Sequence, residues 1–146
     1  MADTSSLSSS SAPAAGSADE YSWLVGFEGD WRDTWWSRDF LELVARRLDL
    51  AAVRAVVDVG SGVGHWGRTL LPWLHPEATL IGVDREPSFV EQATAQAEAR
   101  GLAGRASYRQ GVAEALPLPD ASVDLVTCQT VLIHVADASR SEEHTS

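Results

Sequence analysis

Lysine is missing from this chain: all eleven basic residues among its 146 are arginine, against twenty-one acidic ones, for a formal charge of −10 and a pI near 4.6. So small a positive complement argues against a general affinity for nucleic acid or an anionic membrane. It also removes the Walker phosphate loop, which requires Gly-Lys-Ser/Thr after four intervening residues. Cysteine is nearly absent as well. The single Cys128 cannot form an internal disulfide, which fits a reducing, cytoplasmic setting. No apolar run is long enough for a membrane-spanning helix. The N-terminus lacks the basic stretch and apolar core of a secretory signal. No self-similarity at a spacing of about 20 to 50 residues marks a repeat protein.

What is present suits one soluble domain with a real core: 45% of the residues are hydrophobic, and the length is short for two domains. Residues 1–19, rich in serine and alanine with little to bury, read as a disordered tail. Residues 20–50 form a tryptophan-rich helical cap holding Trp23, Trp31, Trp35 and Trp36. Within it "SRDFLELVARRLDL" predicts a helix with Ser37 as N-cap and Phe40, Leu41, Val44 and Leu48 on one face. These tryptophans serve core packing and docking; one of them over a cationic centre is the functional alternative.

From residue 51 strand and helix patterns alternate. Residues 53–59 read as a strand buried on both faces. Residues 65–74 follow as a helix that Pro72 should kink or shorten. Residues 79–84 form a second strand, then "PSFVEQATAQAEARG" a helix with Pro87 in its first turn and Gly101 as its C-terminal cap. Residues 106–110 and 123–129 supply the third and fourth strands. Such alternation gives right-handed crossovers and a parallel sheet, hence a doubly wound, Rossmann-like α/β fold.

The first strand stops at an aspartate and runs into glycines: "VVDVGSGVGHWGR". A bare strand-to-helix turn lets a ligand approach the main chain without meeting a Cβ, and offers N–H groups at the helix's positive end. The dinucleotide fingerprint GxGxxG needs glycine at position 65, where His65 stands. The pattern is DxGxGxG, on Asp58, Gly60, Gly62 and Gly64, with Ser61 between the first two glycines. Asp84 ends the second strand at the same sheet edge, where its carboxylate can accept hydrogen bonds from both hydroxyls of a ribose. The plainer reading of Asp84 is a turn starter; the interval from the glycine turn favours ribose.

Three ordered motifs, "VVDVGSGVGHWG", "IGVDREPSFVEQA" and "GVAEALPLPDASVDLVTCQTVLIHVAD", together resemble the class I S-adenosylmethionine-dependent methyltransferases, most nearly the small-molecule group called type 11. The resemblance implies that the loop of residues 60–64 lies beside the methionine portion of S-adenosylmethionine. Asp58 would organise hydrogen bonds or water near its amino end. Asp84 would bind the ribose, Arg85 line the adenine and Ala113 touch the adenine edge through its backbone. Gln129 would stand near the transferable methyl. One position departs: members of the group commonly carry an acidic residue where this chain has Val112. Valine cannot accept the bond from the adenine amino group, which points to weaker affinity, with Glu114 as a substitute acceptor.

The implied activity is methyl transfer to a small-molecule acceptor, with no nucleic-acid or membrane partner, no metal and no general base that the sequence singles out. A nicotinamide-dependent oxidoreductase and a non-catalytic cofactor-binding module are the alternatives. His65 is a candidate either for the site or for the helix start. His134 reads as a packing or lid residue, and Cys128 as a small core residue. The resemblance also implies seven strands, of which four are recognisable, so the expected order is 3-2-1-4 in an incomplete sheet spanning residues 51–139. The final residues 140–146, "RSEEHTS", are pattern-free. Through one codon choice they read back as the start of a common sequencing-library adapter, unlike the GC-rich coding bias suggested by alanine and arginine. The expectation is a non-native tail, a natural protein that continues past about residue 139, and a fragment inactive by itself.

Overall fold

The structure, a computed structural model, describes residues 36–129. The expectations for both termini, Trp23, Trp31, Trp35 and His134 lie outside those residues.

Helix α1 spans Arg38–Arg47, with Ser37 Oγ accepting the Phe40 N–H at 3.1 Å. Asp39 in its first turn and Arg46 and Arg47 in its last complement the helix dipole. Leu41 is buried, and Val44 and Ala45 pack against the core. Phe40 and Leu48, expected on the same face, are instead 42% and 56% exposed. The helix ends at Arg47, and Asp49 takes a left-handed conformation (φ 49°) that turns the chain. Leu50, rather than Leu48, is thereby delivered to the core.

Strand β1 is Ala55–Val59, two residues shorter than the apolar run. The Val53 N–H closes a 3-10 turn onto Leu50 at 3.1 Å. The Arg54 and Ala55 N–H groups both donate to the Asp124 carboxylate at 2.9 Å. The same aspartate trims the fourth strand: its N–H donates to the Ala55 carbonyl at 2.8 Å, and β4 begins after it, at Leu125–Cys128. Between them lie α2 (His65–Leu70), β2 (Thr79–Asp84), α3 (Pro87–Ala99) and β3 (Ala106–Gln110). Pro72 shortens α2, which gives way to a 3-10 turn over Leu71–Trp73, because proline has no N–H to continue the ladder. Helix α3 ends in a Schellman motif: Gly101, at φ 70°, donates to Glu98, and Leu102 donates to Ala97.

The strands form one parallel sheet, as the alternation implied, in the order β3-β2-β1-β4 expected from the resemblance. Val56, Leu80 and Ala106 on one face pack with Leu70, Leu71, Leu74 and Ala97. Val57, Val59 and Val83 on the other meet Ala113, Leu116 and Leu118 of the segment after β3. Cys128 is exposed, which corrects its reading as a core residue. It closes the last strand of the described sheet. Because every strand runs the same way, all four C-terminal ends meet at one edge, where ligands of open α/β sheets bind.

Candidate functional site

Residues 60–64 cross that edge from β1 to α2. Gly60, Gly62 and Gly64 sit at φ 64°, 52° and 79°, a region that costs an L-residue about 1–2 kcal/mol. Alternating left-handed glycines turn the loop's N–H groups onto the end of β2. Gly60 and Ser61 both donate to the Val83 carbonyl, at 2.7 and 3.1 Å. Gly62 donates to Asp84 Oδ2 at 2.8 Å. A Cβ on Gly62 would meet nothing within 4 Å, so the loop opens outward there. One on Gly64 would strike the ring of Tyr108.

Asp84, half-buried, holds both sides of the edge: Oδ2 takes the loop and Oδ1 accepts the Glu86 N–H at 2.9 Å. Each carboxylate oxygen keeps a further lone pair. Its carbonyl accepts the Gly111 N–H at 2.9 Å, tying the start of the third motif to the same corner. Val112 projects there, 47% exposed, bridged to Ala115. Ala113 packs its methyl inward against the valine face. The Arg85 side chain is exposed, and its carbonyl accepts from Gln110 Nε2 at 3.2 Å. Gln129 is half-buried immediately past β4. Nine of the ten residues given a cofactor role from the sequence therefore fall at or beside one edge.

Asp58 lies deeper, 1% exposed in β1, with a hydrogen bond from the Gly67 N–H. It caps α2 from below, a service that the N-cap residue Gly64 has no side chain to perform. Burial pushes its carboxyl up to about 7, against the pull of the Gly67 N–H and with a further push from the negative Asp84. His65 opens α2, and its carbonyl accepts from the Thr69 hydroxyl at 3.0 Å. Trp66 reaches over the sheet to donate to Thr127 Oγ1 at 2.7 Å, and Trp36 packs on it with ring centroids 4.7 Å apart.

Two residues that the sequence reading passed over shape this corner. Gly82 stands mid-strand in β2, where a Cβ would come within 2.6 Å of Tyr108 Cε1 and 2.8 Å of Ser61 Oγ. Tyr108 occupies the room so made. A glycine inside a β-branched run signals close approach, but its partner sits 26 positions away in the chain and becomes apparent only from the pairing of Gly82 with Tyr108.

A family model described as a methyltransferase domain matches residues 56–143. The chain is 33% identical over 101 residues to the Bacillus subtilis protein named "Uncharacterized methyltransferase YcgJ", covering 69% of this chain and 38% of that one. The crystal structure of that protein superposes with a TM-score of 0.63 at 31% identity, over 72% of this chain and 43% of the other. A Geobacillus kaustophilus demethylmenaquinone methyltransferase is 32% identical over 96 residues, covering 66% and 41%. A Thiobacillus denitrificans S-adenosylmethionine-dependent methyltransferase, solved with S-adenosyl-L-homocysteine, aligns with a TM-score of 0.55 at 28% identity, over 75% and 43%. The chain thus spans about two fifths of the length of these relatives. With the ordered motifs, the 3-2-1-4 parallel sheet and these likenesses together, the chain belongs to the methyltransferase-domain family of the S-adenosylmethionine-dependent methyltransferases.

Proposed function

We propose that residues 51–139 belong to the cofactor-binding part of an S-adenosylmethionine-dependent methyltransferase whose acceptor is a small molecule. The observation that carries this reading is the pairing of an outward-opening glycine at Gly62 with the carboxylate of Asp84, 2.8 Å from its N–H. The residues fit the chemistry of the group. Asp84 offers acceptor lone pairs for ribose hydroxyls beside a main chain with no Cβ in the way. Val112 offers an apolar flank for a base, the Ala113 backbone a polar edge for it, and Arg85 a planar cation at its rim. Asp58 supports the loop from beneath, Gly60, Ser61 and Gly64 set its path, and Gln129 borders it across the sheet. When bound, S-adenosylmethionine supplies a methyl group on a sulfonium, activated toward a nucleophilic atom of the acceptor. The protein's share is then orientation of two reactants, which can account for most of the rate. A relative named for demethylmenaquinone supports a small-molecule acceptor.

The test is calorimetric titration of the full chain with S-adenosylmethionine and, in parallel, with a nicotinamide dinucleotide. Binding of the first alone is expected. Asp84→Ala should weaken it roughly 10- to 100-fold, the worth of one charge-assisted hydrogen bond. Undiminished affinity in that variant overturns the ribose assignment. Preference for the dinucleotide overturns the cofactor.

A further inference from the structure

Beneath the glycine loop three buried polar atoms have no hydrogen bond of good geometry, Asp58 Oδ2, Ser61 Oγ and Tyr108 OH, and the Arg68 side chain is the polar neighbour of the Tyr108 hydroxyl. They belong together in space. Asp58, Gly82 and Tyr108 stand in one row across β1, β2 and β3, so their side chains leave the same face of the sheet. With no side chain on Gly82, no Cβ stands between Asp58 and Tyr108 in that row. A Cβ there would touch both the Tyr108 ring and Ser61 Oγ, and one on Gly64 would touch the ring again, which places the tyrosine directly under the loop. Phenylalanine would fill the same notch. What tyrosine adds is a hydroxyl: Arg68 can only donate to it, and an O–H donor left unpaired there costs about 1–3 kcal/mol.

The chemistry of the three is complementary: two O–H donors and a carboxylate acceptor, none bonded to another. A water molecule accepts two hydrogen bonds while donating one, and buried waters characteristically make about three. We propose that Asp58, Ser61 and Tyr108 hold one internal water beneath the loop of residues 60–64, and that Tyr108 is a positioning residue acting on that loop through it. Tyr108 and Ser61 donate to the water, and the water donates to Asp58 Oδ2. Ser61 is then anchored from below by its side chain as well as from β2 by its N–H.

Asp58 reports on the arrangement. The groups around the site are the Gly67 N–H and Arg68 from α2, Asp84 at the end of β2, Tyr108 from β3 and Arg100 following α3. Donors aimed at a carboxylate favour its charged form. Removing either hydroxyl therefore makes Asp58 harder to ionise, although the tyrosine ring still packs. The experiment is a carbon-13 titration of the aspartate carboxyls in the ligand-free full chain, with the Asp58 signal assigned by its loss in Asp58→Asn. Tyr108→Phe and Ser61→Ala should each move the Asp58 midpoint upward. In the same variants, S-adenosylhomocysteine affinity at neutral pH should fall about fivefold, the worth of one ordinary hydrogen bond. Unmoved midpoints in both variants overturn the proposal. This inference rests on the reading of the loop as the cofactor's. The titration needs no ligand, so a chain that fails to bind S-adenosylhomocysteine refutes that reading while the carboxyl signal still decides this one.

Discussion

Gly82→Ala tests the notch under the loop most directly. The new methyl would overlap the Tyr108 ring and press on Ser61 Oγ at 2.8 Å. Neither neighbour can yield freely: the ring is walled by Gly64, and Ser61 is held by its N–H to Val83 at 3.1 Å. Placing an extra methyl in a filled core costs about 1–3 kcal/mol. Alanine in a strand returns roughly 0.5–1 kcal/mol of glycine's entropic penalty. The net expectation is a loss of about 1–2 kcal/mol, read as a lower midpoint at unchanged slope in urea unfolding followed by tryptophan fluorescence. Tyr108→Val removes the ring and is destabilising alone. Combined with Gly82→Ala it should cost less than the two singles added, with a coupling of order 1 kcal/mol or more, since the residues touch. Strict additivity, or a Gly82→Ala variant as stable as the parent, would refute the claim that glycine stands at 82 to admit the tyrosine.

Gly62 and Gly64 should part company on substitution. Gly62→Ala meets only backbone strain of about 1–2 kcal/mol and should fold, yet lose S-adenosylmethionine affinity in a calorimetric titration. Gly64→Ala adds the collision with Tyr108 and should lower the unfolding midpoint further. Asp58 makes stability fall with rising pH between about 4 and 7, because the folded protein holds that proton to about 7 while the unfolded chain releases it near 3.8. Asp58→Asn should flatten that slope, the gain appearing at pH 8 and amounting to at most about 4 kcal/mol; urea melts at the two ends of the range measure it. Ser37→Ala removes the α1 cap seen at 3.1 Å and should cost about 1 kcal/mol, with a loss of helical circular dichroism if α1 frays alone.

The local grammar of this fold could be read without coordinates. β2 and β3 span the same residues that read as strands, Pro72 ends α2 where its missing N–H predicts, and Gly101 ends α3. The glycine turn and the acidic strand end were legible for the same reason: a left-handed turn needs glycine, and a carboxylate at a strand's end stands out whatever the surroundings. Where the sequence misled, the cause was a partner distant in the chain or a turn that its own residue type did not announce. Asp124, 69 and 70 positions from the N–H groups it receives, cut two residues from the first strand. The turn at Asp49 exchanged Leu48 for Leu50 in the core. Cys128 is exposed because burial depends on what covers a strand, which its own residues do not state.

By itself, then, the sequence determined the parallel α/β class and the edge at which the motifs gather, since these follow from periodicity, turn chemistry and the handedness of crossovers, while the strand order came from the resemblance to a known family. Only the tertiary structure decided how the loop is held. The row of Asp58, Gly82 and Tyr108 exists only once the strands are in register. Residues on three strands come into one row beneath the loop because a parallel sheet sets side by side what the chain keeps 24 and 26 positions apart.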